Sequence, residues 1–196
     1  KGLGDATILA GYTPETIAQG WRIAVGLAGR MAGRDTAEAK KTAAGEHPTA
    51  PFTSTALVTA VEMLEGHPLL EVTERTAVAL LAILNTTEKD VLTEEIEARL
   101  AEGYRTLKVK VGFDADADLA RVGFIQDRVR GRALIRLDGN KGYNPGDALR
   151  FVARLRPQGI ELFEQPCPAD DWDAAVHVAK AATVPMMLDE SIYGPD

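Results

Sequence analysis

A chain of 196 residues with 45% apolar and 26% charged side chains is long enough to bury a sizeable core. Its 22 basic against 29 acidic residues, a formal charge of −7, exclude a basic nucleic-acid-binding face, and no apolar run reaches the roughly 20 residues of a membrane span. One cysteine, Cys167, excludes an internal disulfide framework and fits a reducing, cytoplasmic setting. The chain opens on Lys1-Gly2-Leu3-Gly4 with no initiator Met, so further residues are expected to precede it.

Residues 1–74 read as mostly helical. Thr13-Pro14-Glu15 has the form of an N-cap with proline at the first helical position, and Ile17, Trp21, Ala24, Ala28 and Met31 follow at helical spacing, up to Gly33. Residues 36–50 predict a solvated helix, and Ser54 to Glu65 a third one stopped by Gly66-His67-Pro68. Trp21 and Trp172 both fall on amphipathic helix positions and are expected in a core or an interface.

From about Thr76 the pattern changes. Ala77–Leu84 is a nearly pure apolar run, as in a strand buried on both faces. A helix over Thr93–Glu102, a strand over Thr106–Val111 and a helix carrying Leu119, Val122, Ile125 and Val129 come next. The strand Ala133–Asp138, a helix opened by Asn144-Pro145, the strand Ile160–Glu164, a helix over Asp170–Ala182 and the strand Val184–Asp189 complete the order. Five strands alternating with four helices predict a parallel sheet, either doubly wound or a (β/α)8-type barrel. Asn85-Thr86-Thr87 after the first strand is no glycine-rich phosphate loop.

The ionisable residues favour the barrel. Lys110, Asp138, Glu164 and Asp189 each end an apolar run, at intervals of 28, 26 and 25 residues, the period of one βα unit. They should therefore converge on the C-terminal rim of the sheet, where barrel active sites lie. A single acid at a strand end more commonly caps the helix that follows. Three acids at a regular period, facing the pair Lys108 and Lys110, point instead to an all-oxygen divalent metal site. Two neighbouring ammonium groups should depress one another's pKa and leave one lysine a neutral base near pH 7. That combination suits removal of a proton α to a carboxylate.

The segments Leu107-Lys108-Val109-Lys110-Val111-Gly112, Leu137-Asp138-Gly139-Asn140, Phe163-Glu164-Gln165-Pro166 and Leu188-Asp189-Glu190-Ser191 resemble, in order and spacing, the signatures of the enolase superfamily. The nearest likeness is to its muconate-lactonizing (muconate cycloisomerase-like) subgroup. The resemblance implies an α/β fold in which a (β/α)8-type barrel, about five βα units of it in this chain, follows part of an α+β capping domain. Residues 1–74 would be the later part of that cap, with Gly4-Asp5-Ala6-Thr7 near its last strand, and 75–196 the first part of the barrel.

The resemblance further implies Asp138, Glu164 and Asp189 as ligands of Mg²⁺, with Mn²⁺ as a substitute, and Lys110 as acid/base on one face of a small carboxylate substrate. Lys108 would tune it or bind the enediolate, and Asn140 and Glu190 would stand behind these groups or simply serve a turn or cap. The implied enzyme is an isomerase or lyase of the mandelate racemase/muconate cycloisomerase type. Its outcome is racemisation or epimerisation, cycloisomerisation, or dehydration, each through a metal-stabilised enediolate. A homo-oligomer in the cytoplasm is expected, with neither nucleic acid nor membrane as partner. A sixth strand bearing a second lysine is expected beyond Asp196.

Two other readings stay open at this level. One is a Schiff-base lyase using Lys108 or Lys110, which leaves the three carboxylates unexplained. The other is a truncated or degenerate barrel serving as a non-catalytic metal-binding or scaffold protein. His47, His67 and His177 fall in helices or turns and read as packing or surface residues, Cys167 as a small rim residue, and Asp170-Asp171 as a helix N-terminal charge pair.

Overall fold

A computed structural model describes residues 1–192. The chain divides into two units, Lys1–Thr76 and Ala77–Asp196.

In the first unit, helix α1 (Ile17–Met31) starts one turn later than the Thr13-Pro14 signature suggests. Thr16 and Gln19 form a reciprocal capping box there, satisfying two N–H groups that a Thr13 start would leave open. The Thr13 hydroxyl instead donates to the Leu9 and Glu15 carbonyls. Helix α2 (Thr36–Ala44) is capped by Asp35, and α3 (Pro51–Glu65) ends on Gly66 in the left-handed region. The α3 N-cap, Ala50, has no side-chain oxygen, and the buried Glu15 substitutes for one by accepting from the Thr53 N–H at 2.7 Å. Trp21 is 73% exposed, because the buried stripe of α1 runs through Gly20 and Leu27; Trp172 is half-exposed. Residues 1–9 form no strand and pair with no strand among the described residues.

The second unit alternates β1 (Ala82–Leu84), α4 (Lys89–Ala101), β2 (Thr106–Lys110), α5 (Ala115–Val129), β3 (Leu134–Asp138), α6 (Pro145–Arg154), β4 (Ile160–Glu164), α7 (Trp172–Ala181) and β5 (Met186–Met187). All pairings are parallel, in the order β1-β2-β3-β4-β5. A doubly wound sheet reverses direction at a switch point. This one never does, so the five strands form one stretch of a singly wound wall.

β1 and β5 are shorter than their apolar runs, for a reason of register. Ala82 pairs with Leu107, so Ala77–Leu81 run past the start of β2, their only neighbour, and are largely exposed. At the other end Met187 pairs with Glu164, the last residue of β4, so Leu188 and Asp189 leave the ladder. Asp189 therefore sits in the loop after β5 rather than at a strand end.

The core lies between the sheet and its helices. Leu107, Val109, Ile135, Leu137 and Phe163 face Leu92, Ile96, Val122, Ile125, Phe151 and Val178, all buried. Each fully buried side chain of this kind contributes about 1.5–3 kcal/mol. Tyr143, Phe151 and Phe163 cluster with ring centroids 5.3 to 6.4 Å apart. Burial alternates along β2, with Leu107 and Val109 inside and Lys108 and Lys110 on the opposite face.

Candidate active site

Parallel pairing lays Lys110, Asp138 and Glu164 side by side as the last residues of β2, β3 and β4. Lys108 lies two residues back on the face of Lys110. Its Nζ donates to Asp138 Oδ2 at 2.8 Å and to Glu164 Oε2 at 2.9 Å. Lys110 Nζ donates to the same Asp138 oxygen at 2.5 Å and to Asn140 Oδ1. The second Asp138 oxygen accepts the Asn140 N–H at 3.0 Å. Beyond it, the Asn140 amide reaches Glu190 at 3.4 Å, and Lys141 lies 3.7 Å from the same carboxylate. The Asp138 side chain is 1% exposed, Lys108 17% and Lys110 37%. Lys108 thus lies deep in the site and Lys110 at its mouth.

The electrostatics follow from this packing. Burial raises the Asp138 pKa, but both lysines and the Asn140 N–H outweigh it and hold the carboxyl below its ordinary value. Glu164 goes the other way: burial pushes it up and the charges of Asp138 and Asp189 add to that, against Lys108 alone. For Lys108 the expected depression is reversed. Desolvation lowers its pKa, yet the two carboxylates hydrogen-bonded to it outweigh burial, so the net shift is upward.

The ligand set implied by the resemblance is gathered in part. Asp138 and Glu164 adjoin, and Asp189 lies on the next loop, close enough for its charge to act on Glu164. Among the described residues no three His, Cys, Asp or Glu side chains form a metal cage as they stand, because Asp138 and Glu164 turn their oxygens onto Lys108. The donor chemistry nonetheless fits a hard divalent cation: carboxylate oxygens only, at a point where burial, and then the neighbouring anions, already raise one carboxyl. Glu190 Oε2 at the same rim is buried and has no hydrogen-bond partner among the described residues, an acceptor left open there.

Three βα loops are stitched together beneath these groups. A Cβ on Gly112 would lie 2.3 Å from the Gly139 carbonyl oxygen, and one on Gly142 2.2 Å from that of Gly112, so only glycine permits the approach. Gly112 also has φ +100°. Asp118 secures the stitch: Oδ2 accepts from the N–H groups of Gly112 and Phe113, both at 3.0 Å, and from the Tyr143 hydroxyl at 2.6 Å. Burial and the Asp118 charge push the Tyr143 pKa far up, so its hydroxyl remains a donor. Arg121 joins the ends of β1 and β2 by donating to the Leu84, Thr86 and Lys110 carbonyls.

The sequence reading missed Asp118, although it precedes Val122, Ile125 and Val129 on the buried stripe of α5. An acid on such a stripe is the signal that could have revealed it. Tyr143→Phe is expected to destabilise the protein by about 1.5–3 kcal/mol, as for a lost hydrogen bond to a charged group. Asp118→Ala should cost more, since it strands two N–H groups and a hydroxyl. Urea denaturation measures both, and a Tyr143→Phe midpoint equal to that of the parent would show that Asp118 does not depend on this donor.

Asn140, Lys141 and Gln165 all have positive φ, at 40°, 66° and 34°; the one other non-glycine residue of this kind among those described is Arg130. Backbone held in this region concentrates at functional sites. Cys167 is buried, its thiol pushed up to about 11 mainly by that burial, which makes it a poor nucleophile.

Residues 91–196 match the enolase C-terminal domain-like family. The chain belongs to that family. Among its relatives, L-Ala-D/L-Glu epimerase of Bacillus subtilis (strain 168) is 36% identical over 115 residues, 57% of this chain and 31% of that protein. Muconate cycloisomerase 1 of Rhodococcus opacus is 32% identical over 108 residues, 55% of this chain and 29% of that protein. The crystal structure of the dipeptide epimerase from Methylococcus capsulatus complexed with Mg ion superposes with a TM-score of 0.83 at 29% identity. The match covers 99% of this chain and 59% of that one. The matched segments of this enolase-family chain thus cover about a third of these two relatives, the whole chain covers 59% of the matched epimerase structure, and its five strands form part of an α/β barrel fold. No helix of the described residues is long and apolar enough to cross a membrane.

Proposed function

We propose that this enolase-family chain carries one half of a Mg²⁺-dependent site that removes the proton α to a substrate carboxylate, and that the substrate is a dipeptide or related N-acyl amino acid undergoing epimerisation. The observation that carries this reading is the sharing of Asp138 by Lys108 and Lys110, which puts a partly exposed amine directly beside a buried carboxylate pair. The substrate class rests on the epimerases among the relatives. Residues 1–74 are proposed as part of the capping domain, and the single buried thiol is consistent with the cytoplasm.

Asp138, Glu164 and Asp189 would hold the Mg²⁺. The ion would supply positive charge toward which the substrate carboxylate orients and which lowers the cost of charge developing on it. Lys110, the more exposed lysine, is placed to take the α-proton at Nζ. Lys108, half-buried and held cationic by Asp138 and Glu164, adds a fixed positive charge where the carboxylate oxygens become more negative. Asn140 orients Lys110 through its side-chain oxygen and Asp138 through its N–H.

Incubating the intact protein with Mg²⁺ and a panel of dipeptides in D₂O tests the reading by proton NMR. Loss of an α-proton signal together with the appearance of a diastereomer supports it. Borohydride trapping of a lysine with a carbonyl substrate, without α-exchange in any dipeptide, would replace it with Schiff-base chemistry.

A further inference from the structure

The Gln165 side chain makes every hydrogen bond a primary amide offers its surroundings. Oε1 accepts the N–H of Asp189 at 2.9 Å and of Ser191 at 3.2 Å, while Nε2 donates to the Cys167 carbonyl at 3.0 Å and to Ser191 Oγ at 2.8 Å. Ser191 Oγ passes the chain on to the Ala169 carbonyl at 2.8 Å. The backbone of Gln165 is equally engaged: its N–H donates to Met187 and its carbonyl accepts from Lys141, both at 2.9 Å. The residue is 1% exposed and sits at φ +34°, a strained conformation for a side chain of this size. Among the described residues it is hydrogen-bonded to neither Lys108 nor Lys110.

What needs such a device is the loop after β5. Asp189, itself exposed, lies beyond the last ladder pair, in a loop that has no strand to fix it. A carboxylate on a free loop could not stay aligned with two others held in neighbouring strands. We infer that Gln165 is the positioning residue for Asp189: its amide replaces the missing ladder and locks the β5 loop, with Glu190, against the β3 and β4 loops. The inference deepens the proposed function and rests on it only where it concerns Mg²⁺. The bonds to the loop exist whatever the ion does. An amide suits the task because it accepts and donates at once. A carboxylate would set its second oxygen against the Cys167 carbonyl, and an apolar side chain of the same length would strand two N–H groups.

The experiment is amide hydrogen exchange of the intact parent protein and of Gln165→Met, combined with calorimetric titration by MgCl₂. In the parent, the Asp189 and Ser191 amides are expected to be protected although they belong to no strand. Exchange at the unprotected rate there would overturn the proposal without any variant having to fold. In Gln165→Met these two amides should exchange at least ~10-fold faster while Val109 and Leu137 keep their protection. Mg²⁺ affinity should fall ~10- to 100-fold, the usual loss when an outer partner of a metal ligand is removed. Gln165→Glu keeps the acceptor for both N–H groups and is expected to retain protection at Asp189, a rescue that a general loss of packing would not allow. Unchanged Asp189 exchange in Gln165→Met overturns the clamp. Faster exchange with undiminished Mg²⁺ affinity overturns the link to the metal if Asp189→Asn does weaken binding. If Asp189→Asn leaves binding intact as well, the Mg²⁺ assignment fails and the clamp stands.

Discussion

Lys110→Ala is expected to lower α-proton exchange of a bound dipeptide by at least ~10², the lower range for loss of a general base, while the protein stays folded. The fold should tolerate the change because the Lys110 side chain is partly exposed and Asp138 keeps Lys108 as counter-charge. Substrate affinity should change little, so the loss is expected in kcat rather than in KM. Lys108→Ala makes a sharp contrast. It leaves Asp138 and Glu164 adjacent with their common cation gone, so it should lower stability as well as turnover, and added Mg²⁺ should restore more of the stability than of the turnover. Exchange at the parent rate in Lys110→Ala would move the base elsewhere.

Asp138→Asn should be the most damaging single change to metal binding, weakening Mg²⁺ by more than the ~10²-fold upper range for an outer partner. Asp138 receives both lysines and a backbone N–H, whereas Glu164 receives one lysine. In the metal-free protein the neutral amide also leaves Lys108 with one carboxylate, at a cost of about 3 kcal/mol, the low end for a broken buried pair. The pH dependence has a definite sign. The Asp138 pKa is lowered on folding, so its contribution is complete above the ordinary value of 3.8 and is lost as pH falls through the depressed one. The stability difference between parent and Asp138→Asn should hold steady from neutral pH down toward 4 and shrink below it. Glu164, with a raised pKa, acts oppositely, since its ionisation costs stability. A difference in urea midpoint that ignores pH throughout would mean that Asp138 is not held as the anion.

The strand-terminal positions of Lys110, Asp138 and Glu164 were legible because alternating apolar residues break off at a charge, and that break coincides with the end of a strand. Asn144-Pro145 was legible for a similar local reason: cap and first-turn proline act within four residues. The lengths of β1 and β5 were not, because a strand ends where its neighbour ends, and an apolar run carries no information about register. For that reason the apolar run carries Asp189 into a strand, whereas it lies in a loop. The reversed pKa of Lys108 escaped because two lysines could be counted in the sequence while the carboxylates on each ammonium could not. The exposed Trp21 shows the limit of periodicity, which marks a stripe but not what lies against it.

The unbroken strand order bears on how the second unit is assembled. Every ladder joins strands that follow one another in the chain, between partners 23 to 28 positions apart, and no later strand is inserted between earlier ones. Loop closure therefore costs about the same at each step, and contact order stays low for a parallel sheet. A nascent chain could add one βα unit at a time onto the last, without waiting for a distant segment. The strands that carry Lys110, Asp138 and Glu164 would pair in that same sequence, so the amine would already be in place when its first carboxylate arrived.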